Sequence, residues 1–152
     1  MRSEDVPMVA KLAEEAFKES YPFDWLANAE ALLSGTESGK VSVSIVELEE
    51  DVVGYANLRS WPAGGWIDQV VVSIKHRRKG IGGRIFRYLL DEAVHRGFWK
   101  VSLIASAEDS SLLTFYTRLG FQREGVMKDQ IKKGVNGILL SYITDYNLHP
   151  NK

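Results

Sequence analysis

The hydrophobic period of this chain changes at residue 41, and that change limits the fold more than any other feature. Before it, "SEDVPMVAKLAEEAF" repeats apolar residues at helical spacing (Val6, Val9, Ala13, Ala16, Phe17). Asp5 or Ser3 can cap this helix, and Pro7 is tolerated in its first turn. "YPFDWLANAEALLSG" predicts a second helix ended by Gly35. After the turn "ESGK" the period becomes two: Val41, Val43 and Ile45 alternate with Ser42 and Ser44, as in a strand with one buried face. "ELEED" turns that strand into "VVGYANLRS". "WPAGG" then leads to "WIDQVVVS", whose continuous apolar end suggests burial on both faces.

Helical spacing returns between Gly80 and Arg96. Ile81, Ile85, Leu89 and Ala93 form one stripe, Phe86, Leu90 and Val94 widen it, and Gly97 stops it. "KVSLIA" is a strand, and "SAEDSS" is a polar turn that can cap the helix "LLTFYTRL". Gly120 ends that helix, and "KKGVNG" separates two strand-like runs, Phe121–Ile131 and Ile138–Tyr146.

The order α-α-β-β-β-α-β-α-β-β predicts an α/β fold: a single mixed sheet of about six strands with helices on both faces. The first three strands should form an antiparallel meander. The strand ending near Ser73 and the strand at Lys100 are joined by a helix, so they should run parallel through a right-handed crossover. A length of 152 residues suits one domain, here 1–147, with a frayed tail at 148–152.

The chain has no cysteine, which excludes disulfides, Cys-ligated zinc and thiol nucleophiles. Its net charge is −1, and its basic excess is local to residues 75–87. That balance argues against a nucleic-acid partner. No apolar leader follows "MRSEDVPMV", and no apolar run is long enough to cross a membrane. The sequence predicts a soluble, cytoplasmic protein with no membrane partner and no metal.

The densest chemistry lies in "SIKHRRKGIGGRIFRYLL", Ser73 to Leu90. Gly80, Gly82 and Gly83 let the backbone approach a ligand closely. A helix N-terminus offers unpaired N–H groups and partial positive charge, which suit an anion and phosphate in particular. Arg77, Arg78 and Lys79 add charged donors at the rim. The spacing does not fit the Rossmann fingerprint, and the Walker pattern is absent. A basic loop before a glycine-rich helix, with no ligand, is the plain alternative.

"RRKGIG" (Arg77–Gly82) resembles the R/Q-x-x-G-x-G/A signature of the GNAT family of N-acetyltransferases. "IDQVVVS" is similar to that family's central strand. "LLTFYTRLGF" (Leu112–Phe121) is similar to its second signature, a helix ending in Tyr-x-x-x-Gly-Phe. The order of elements resembles the family over nearly the whole chain.

The resemblance implies acetyl-CoA as donor and direct transfer of its acetyl group to a primary amine on a small molecule or a protein. It implies a central strand splayed from its parallel neighbour, with Val70, Val71 and Val72 along the pantetheine arm. The loop Arg77, Arg78, Lys79, Gly80, Ile81, Gly82 and Gly83 would then hold the pyrophosphate. Tyr116 matches the position of the acid that protonates the departing thiolate, and it would also touch the cofactor. Asp68 stands near an acidic position of the family and is the candidate base, directly or through water; Glu47 is its rival.

Three departures qualify the match. Asp109 stands where the family often has Asn, as a cofactor contact or only a helix cap. Leu112 replaces a small residue. Only Met1 and Arg2 precede the first helical segment, where the family has a strand.

For the acceptor, Phe23, Trp25, Trp61 and Trp66, with Tyr21, can line an apolar slot or stack on a cation. Glu14, Glu15, Glu19 and Asp24 can attract an amine or simply form a wet helix face. His76 is expected beside the phosphate loop. A non-catalytic acyl-CoA-binding or sensor module is the main alternative, a nucleic-acid binder using residues 75–87 is another, and a homodimer through the C-terminal hairpin is open to such a fold.

Overall fold

The computed structural model describes residues 1–19 and 24–144. Among them are the helices α1 (Val6–Phe17), α2 (Trp25–Glu37), α3 (Ile81–His95) and α4 (Ser110–Leu119). The strands are β1 (Val41–Leu48), β2 (Asp51–Trp61), β3 (Gly64–Trp66), β4 (Val70–Val72), β5 (Lys100–Ser106), β6 (Gln122–Lys132) and β7 (Val135–Ile143). They fall into two compact units, one of Met1–Ser60 with Ile67–Leu89 and the other of Trp61–Trp66 with Leu90 onwards.

In the first unit β2 pairs antiparallel with both β1 and β4, with Tyr55 opposite Ile45 on one side and Val71 on the other. The helical stripes meet the inner face of these strands. Val9, Leu12 and Ala13 of α1 and Ala29 and Leu32 of α2 bury against Val43, Tyr55 and Val71. Asp24 caps α2 by accepting the Ala27 N–H at 3.0 Å.

Gly35 does not end α2, as its sequence suggested; the helix continues to Glu37. A Cβ at Gly35 would lie 2.9 Å from Val41 Cγ2, so this glycine lets the helix pass close to the start of β1. The chain turns instead at Gly39, where φ is +73°.

In the second unit β3 runs parallel to β5, with Gly65 opposite Val101 and Trp66 opposite Ser102. β7 lies antiparallel to β5 and β6 antiparallel to β7. Gly64 has φ +129°, and a Cβ there would overlap the Lys100 carbonyl. Val101, Leu103, Tyr116, Phe121, Ile138 and Leu140 are buried in this unit.

The α/β class, the antiparallel pairing of the early strands and a parallel strand pair are as the sequence predicts. The described strands number seven where about six were expected: in "WIDQVVVS" Trp66 closes β3, Ile67–Gln69 interrupt, and Val70–Val72 form β4. β3, which begins in the stretch read as the turn "WPAGG", pairs parallel with β5, while β4, the part ending near Ser73, pairs with β2. The tail 148–152 lies outside the described residues. Among the described residues no helix is long and apolar enough to cross a membrane.

Candidate functional site

The first unit carries the glycine-rich turn. A short 3-10 turn, Ile74–His76, follows β4, and Arg77 is extended (φ −69°, ψ 156°). Arg78 then has φ +61° and Gly80 φ +80°. A non-glycine residue in the left-handed region costs about 1 kcal/mol. Backbone of alternating hand turns successive N–H groups toward one concave side, the arrangement that receives anions.

The first helical hydrogen bond of α3 is Arg84 N–H to Gly80 O, 3.2 Å. The N–H groups of Ile81, Gly82 and Gly83 therefore precede the ladder. A Cβ built on Gly80 or Gly83 meets no heavy atom within 4 Å, so the space above both is open. Arg78 and Lys79 are exposed beside it. Arg77 is partly committed: its Nε donates to Val72 O at 3.0 Å, tying the loop back to β4. His76 Nδ1 lies 3.3 Å from Ser73 Oγ at the foot of the loop.

The backbone of β4 has two edges, and hydrogen bonds show which residues use which. Ser73 N–H donates to Val53 O (2.8 Å), and Gln69 O accepts Asn57 N–H (3.1 Å). Residues 69, 71 and 73 thus face β2, and the N–H and C=O groups of Val70 and Val72 point to the opposite edge. The Val71 side chain is in the core.

Asp68 lies between β3 and β4 and is held by three donors. Arg59 Nε and Asn57 Nδ2 reach Oδ2 at 2.8 and 2.9 Å, and Arg59 Nη2 reaches Oδ1 at 3.0 Å. A carboxylate offers about four lone-pair sites, so one remains, on Oδ1. Glu47, at the other end of the sheet, takes Arg2 Nη2 at 2.8 Å.

Next to Asp68, Gln69 is tied by its amide to Asn28 in both directions (2.9 and 3.2 Å) and receives the Tyr55 hydroxyl at 2.7 Å. Sequence reasoning passed over Asn28, Asn57, Arg59 and Gln69. One signal was available: an asparagine between Ala56 and Leu58, in the otherwise apolar run 52–58, is out of place unless it is bonded.

The second unit carries Tyr116 and Asp109. Asp109 caps α4, its Oδ1 accepting the Leu112 N–H at 2.9 Å. Tyr116 sits on the next turns and is 7% exposed. Burial, with the Asp109 carboxylate adding to it, pushes the phenol well above its ordinary value, so it keeps its proton throughout the neutral range. Its ring meets Phe115 and Phe121, with centroids 5.6 and 5.7 Å away.

The aromatic residues expected on the acceptor side divide. Trp61 and Trp66 of the second unit lie with ring centroids 5.1 Å apart, and Trp61 is 44% exposed. In the first unit Trp25 packs on Phe17, 5.4 Å between centroids. It also lines an open groove of about 480 Å³ together with Pro7, Lys11, Glu14, Asp24 and Leu26. Tyr21 and Phe23 lie outside the described residues.

Comparison with known proteins gives this geometry a family. The profile of the acetyltransferase (GNAT) family matches residues 6–121. A stretch of 54 residues is 41% identical to N-acetyltransferase family 8 member 3 of Rattus norvegicus. It covers 36% of this chain and 24% of the rat protein, so the match spans about a quarter of that relative.

Among solved structures, the ribosomal-protein-alanine N-acetyltransferase of Brucella melitensis superposes with a TM-score of 0.81 at 20% identity, over 94% of this chain and 96% of that one. An aminoglycoside 6'-N-acetyltransferase complexed with coenzyme A gives 0.79 at 15%, over 93% and 92%. The PaiA N-acetyltransferase of Thermoplasma acidophilum, also with coenzyme A, gives 0.77 at 15%, over 94% and 95%. At such identities the likeness is one of fold.

Proposed function

Because the chain belongs to the acetyltransferase (GNAT) family, we propose that it binds acetyl-CoA and moves the acetyl group directly to a primary amine, on a small molecule or a protein. The observation that carries this reading is the turn before α3. Left-handed Arg78 and Gly80, three N–H groups ahead of the helical ladder and open space over Gly80 and Gly83 suit a pyrophosphate.

When bound, acetyl-CoA supplies an activated acyl group. The chain supplies the rest. The amides of Ile81, Gly82 and Gly83, with Arg78 and Lys79, hold the phosphates. The outward edge of Val70 and Val72 holds the pantetheine arm by backbone hydrogen bonds, with Val71 anchoring the strand in the core. Asp109 touches the arm while capping α4. Trp25, Trp61 and Trp66 are the described aromatic residues offered to the acceptor.

The amine must shed a proton before attack, since a lysine-like amine titrates near about 10.4. Water on the remaining lone pair of Asp68 Oδ1 takes that proton. Nitrogen then forms its bond to the acyl carbon and the carbon–sulfur bond breaks. The departing thiolate receives a hydrogen bond from the Tyr116 hydroxyl. Burial holds the Tyr116 proton well above the ordinary phenol value, so its complete transfer to an alkyl thiolate is uphill. Tyr116 therefore steadies the developing charge, and the proton released by the amine balances the thiol product.

A second reading has one observation in its favour: Asp68 is largely engaged by Arg59 and Asn57. That suits a chain that binds acyl-CoA without turning it over. Thermal unfolding with acetyl-CoA, with NADH and ATP as controls, tests the shared part. A ligand at about 100 times its dissociation constant stabilises by roughly 2.7 kcal/mol, on the order of 5–11 °C here. A rise with acetyl-CoA alone supports both readings; no rise in a folded, CoA-free sample rejects both. Acetylation across a panel of amines then separates them, because only the enzyme releases CoA.

A further inference from the structure

Asn57 repairs a break in the β2–β4 ladder with its side chain. In a regular antiparallel pair, Asn57 and Gln69 would exchange two backbone hydrogen bonds. One is present, Asn57 N–H to Gln69 O at 3.1 Å. For the other, Gln69 N–H reaches not the Asn57 carbonyl but Asn57 Oδ1, at 2.8 Å. The side-chain carbonyl of Asn57 stands in for its backbone carbonyl, so the regular pairing ends at this point with one backbone bond and one side-chain bond.

The same amide uses its other end. Asn57 Nδ2 donates to Asp68 Oδ2 at 2.9 Å, and Asn57 is 1% exposed. A group that both accepts and donates is needed here, which an amide supplies and a carboxylate or an alkyl chain does not. Gln69 is fixed from its far side by Asn28 and Tyr55. Together these contacts bound the segment Ile67–Gln69, the interruption between β3 and β4.

We propose that Asn57 is a positioning residue: its amide sets where β4 departs from β2, and so sets the place of the Val70 and Val72 edge that receives the pantetheine arm. This rests on the acetyl-CoA reading above. It predicts that disturbing Asn57 weakens ligands that carry the arm and spares ligands that use only the phosphate cradle. A general loss of structure would weaken both.

Isothermal titration of the full chain with coenzyme A and with 3′-phosphoadenosine 5′-diphosphate, which lacks the arm, reads this directly. Asn57→Asp keeps an acceptor for Gln69 N–H but sets a second carboxylate against Asp68. Its affinity for coenzyme A should fall at least about tenfold, with the short ligand changed less than about twofold. Asn28→Ala releases Gln69 from a half-buried position and keeps the test alive if Asn57→Asp does not fold; it should show the same selectivity at about threefold. Equal loss for both ligands, or no loss for either, in a folded variant overturns the role of Asn57. A wild-type chain that binds neither ligand overturns the acetyl-CoA reading itself, and this inference with it.

Discussion

Phe121 closes on Tyr116 twice: its N–H donates to the Tyr116 carbonyl at 3.0 Å, and its ring meets the Tyr116 ring at 61° with 5.7 Å between centroids. Between them Gly120 has φ +102°, and its N–H reaches Thr117 O at 3.0 Å. This is a left-handed helix stop with its apolar latch, and it explains the spacing Tyr-x-x-x-Gly-Phe in physical terms. Gly120→Ala forces a side chain into the left-handed region and sets its Cβ 3.0 Å from the Tyr142 ring. The expected loss is about 1–2 kcal/mol, or roughly 2–8 °C in Tm, measured by thermal unfolding. An unchanged Tm would show that the latch does not limit stability.

Tyr116→Phe keeps the ring contacts and removes the hydroxyl. If that hydroxyl steadies the departing thiolate, kcat should fall by about a hundredfold while acetyl-CoA affinity changes little. The check is single-turnover acetylation beside a binding titration. Full turnover in the variant, with chemistry limiting, would remove Tyr116 from the mechanism.

Such a latch was legible in the sequence because every part of it is local. The same holds for the cap Asp109, the turn before α3 and the stripe of α3, where residue spacing alone fixes which groups meet. The break between β3 and β4 was not legible. "WIDQVVVS" has the composition of one strand, and what interrupts it comes from Asn28 and Asn57, distant in sequence. Gly35 misled for a related reason: the same residue type that ends a helix in a left-handed turn also permits close packing. Only the neighbour Val41 tells the two uses apart. Asp68 stood out as a carboxylate, but its bond to Arg59 nine residues earlier depends on β2 and the segment before β4 lying side by side.

Gly82→Asp places a carboxylate at the N-terminus of α3, where the cradle would hold phosphate. A negative charge at a helix start does not harm the helix itself, so the fold should survive. Coenzyme A affinity should fall at least about a hundredfold, since like charges a few ångströms apart cost several kcal/mol where water is partly excluded. A binding titration beside a thermal melt checks both halves. Preserved affinity in a folded variant would move the phosphates elsewhere.

Tyr55 and Tyr116 also make stability sensitive to alkaline pH. Burial raises both phenols above the ordinary value near about 10. Below that pH the phenols are neutral in the folded and the unfolded chain alike, and their contribution to stability is fully present. Above it the unfolded chain ionises while the folded one does not, so the unfolded state binds fewer protons and stability falls as pH rises. Each phenol contributes up to about 1.4 kcal/mol per pH unit to that fall. Urea midpoints from about pH 8 to about pH 11 should therefore drop more steeply beyond pH about 10 in the wild-type chain than in Tyr55→Phe. The comparison is of slopes, because losing the Tyr55 bond to Gln69 lowers the whole curve of the variant. Parallel curves would mean that Tyr55 ionises as readily in the folded chain as in the unfolded one.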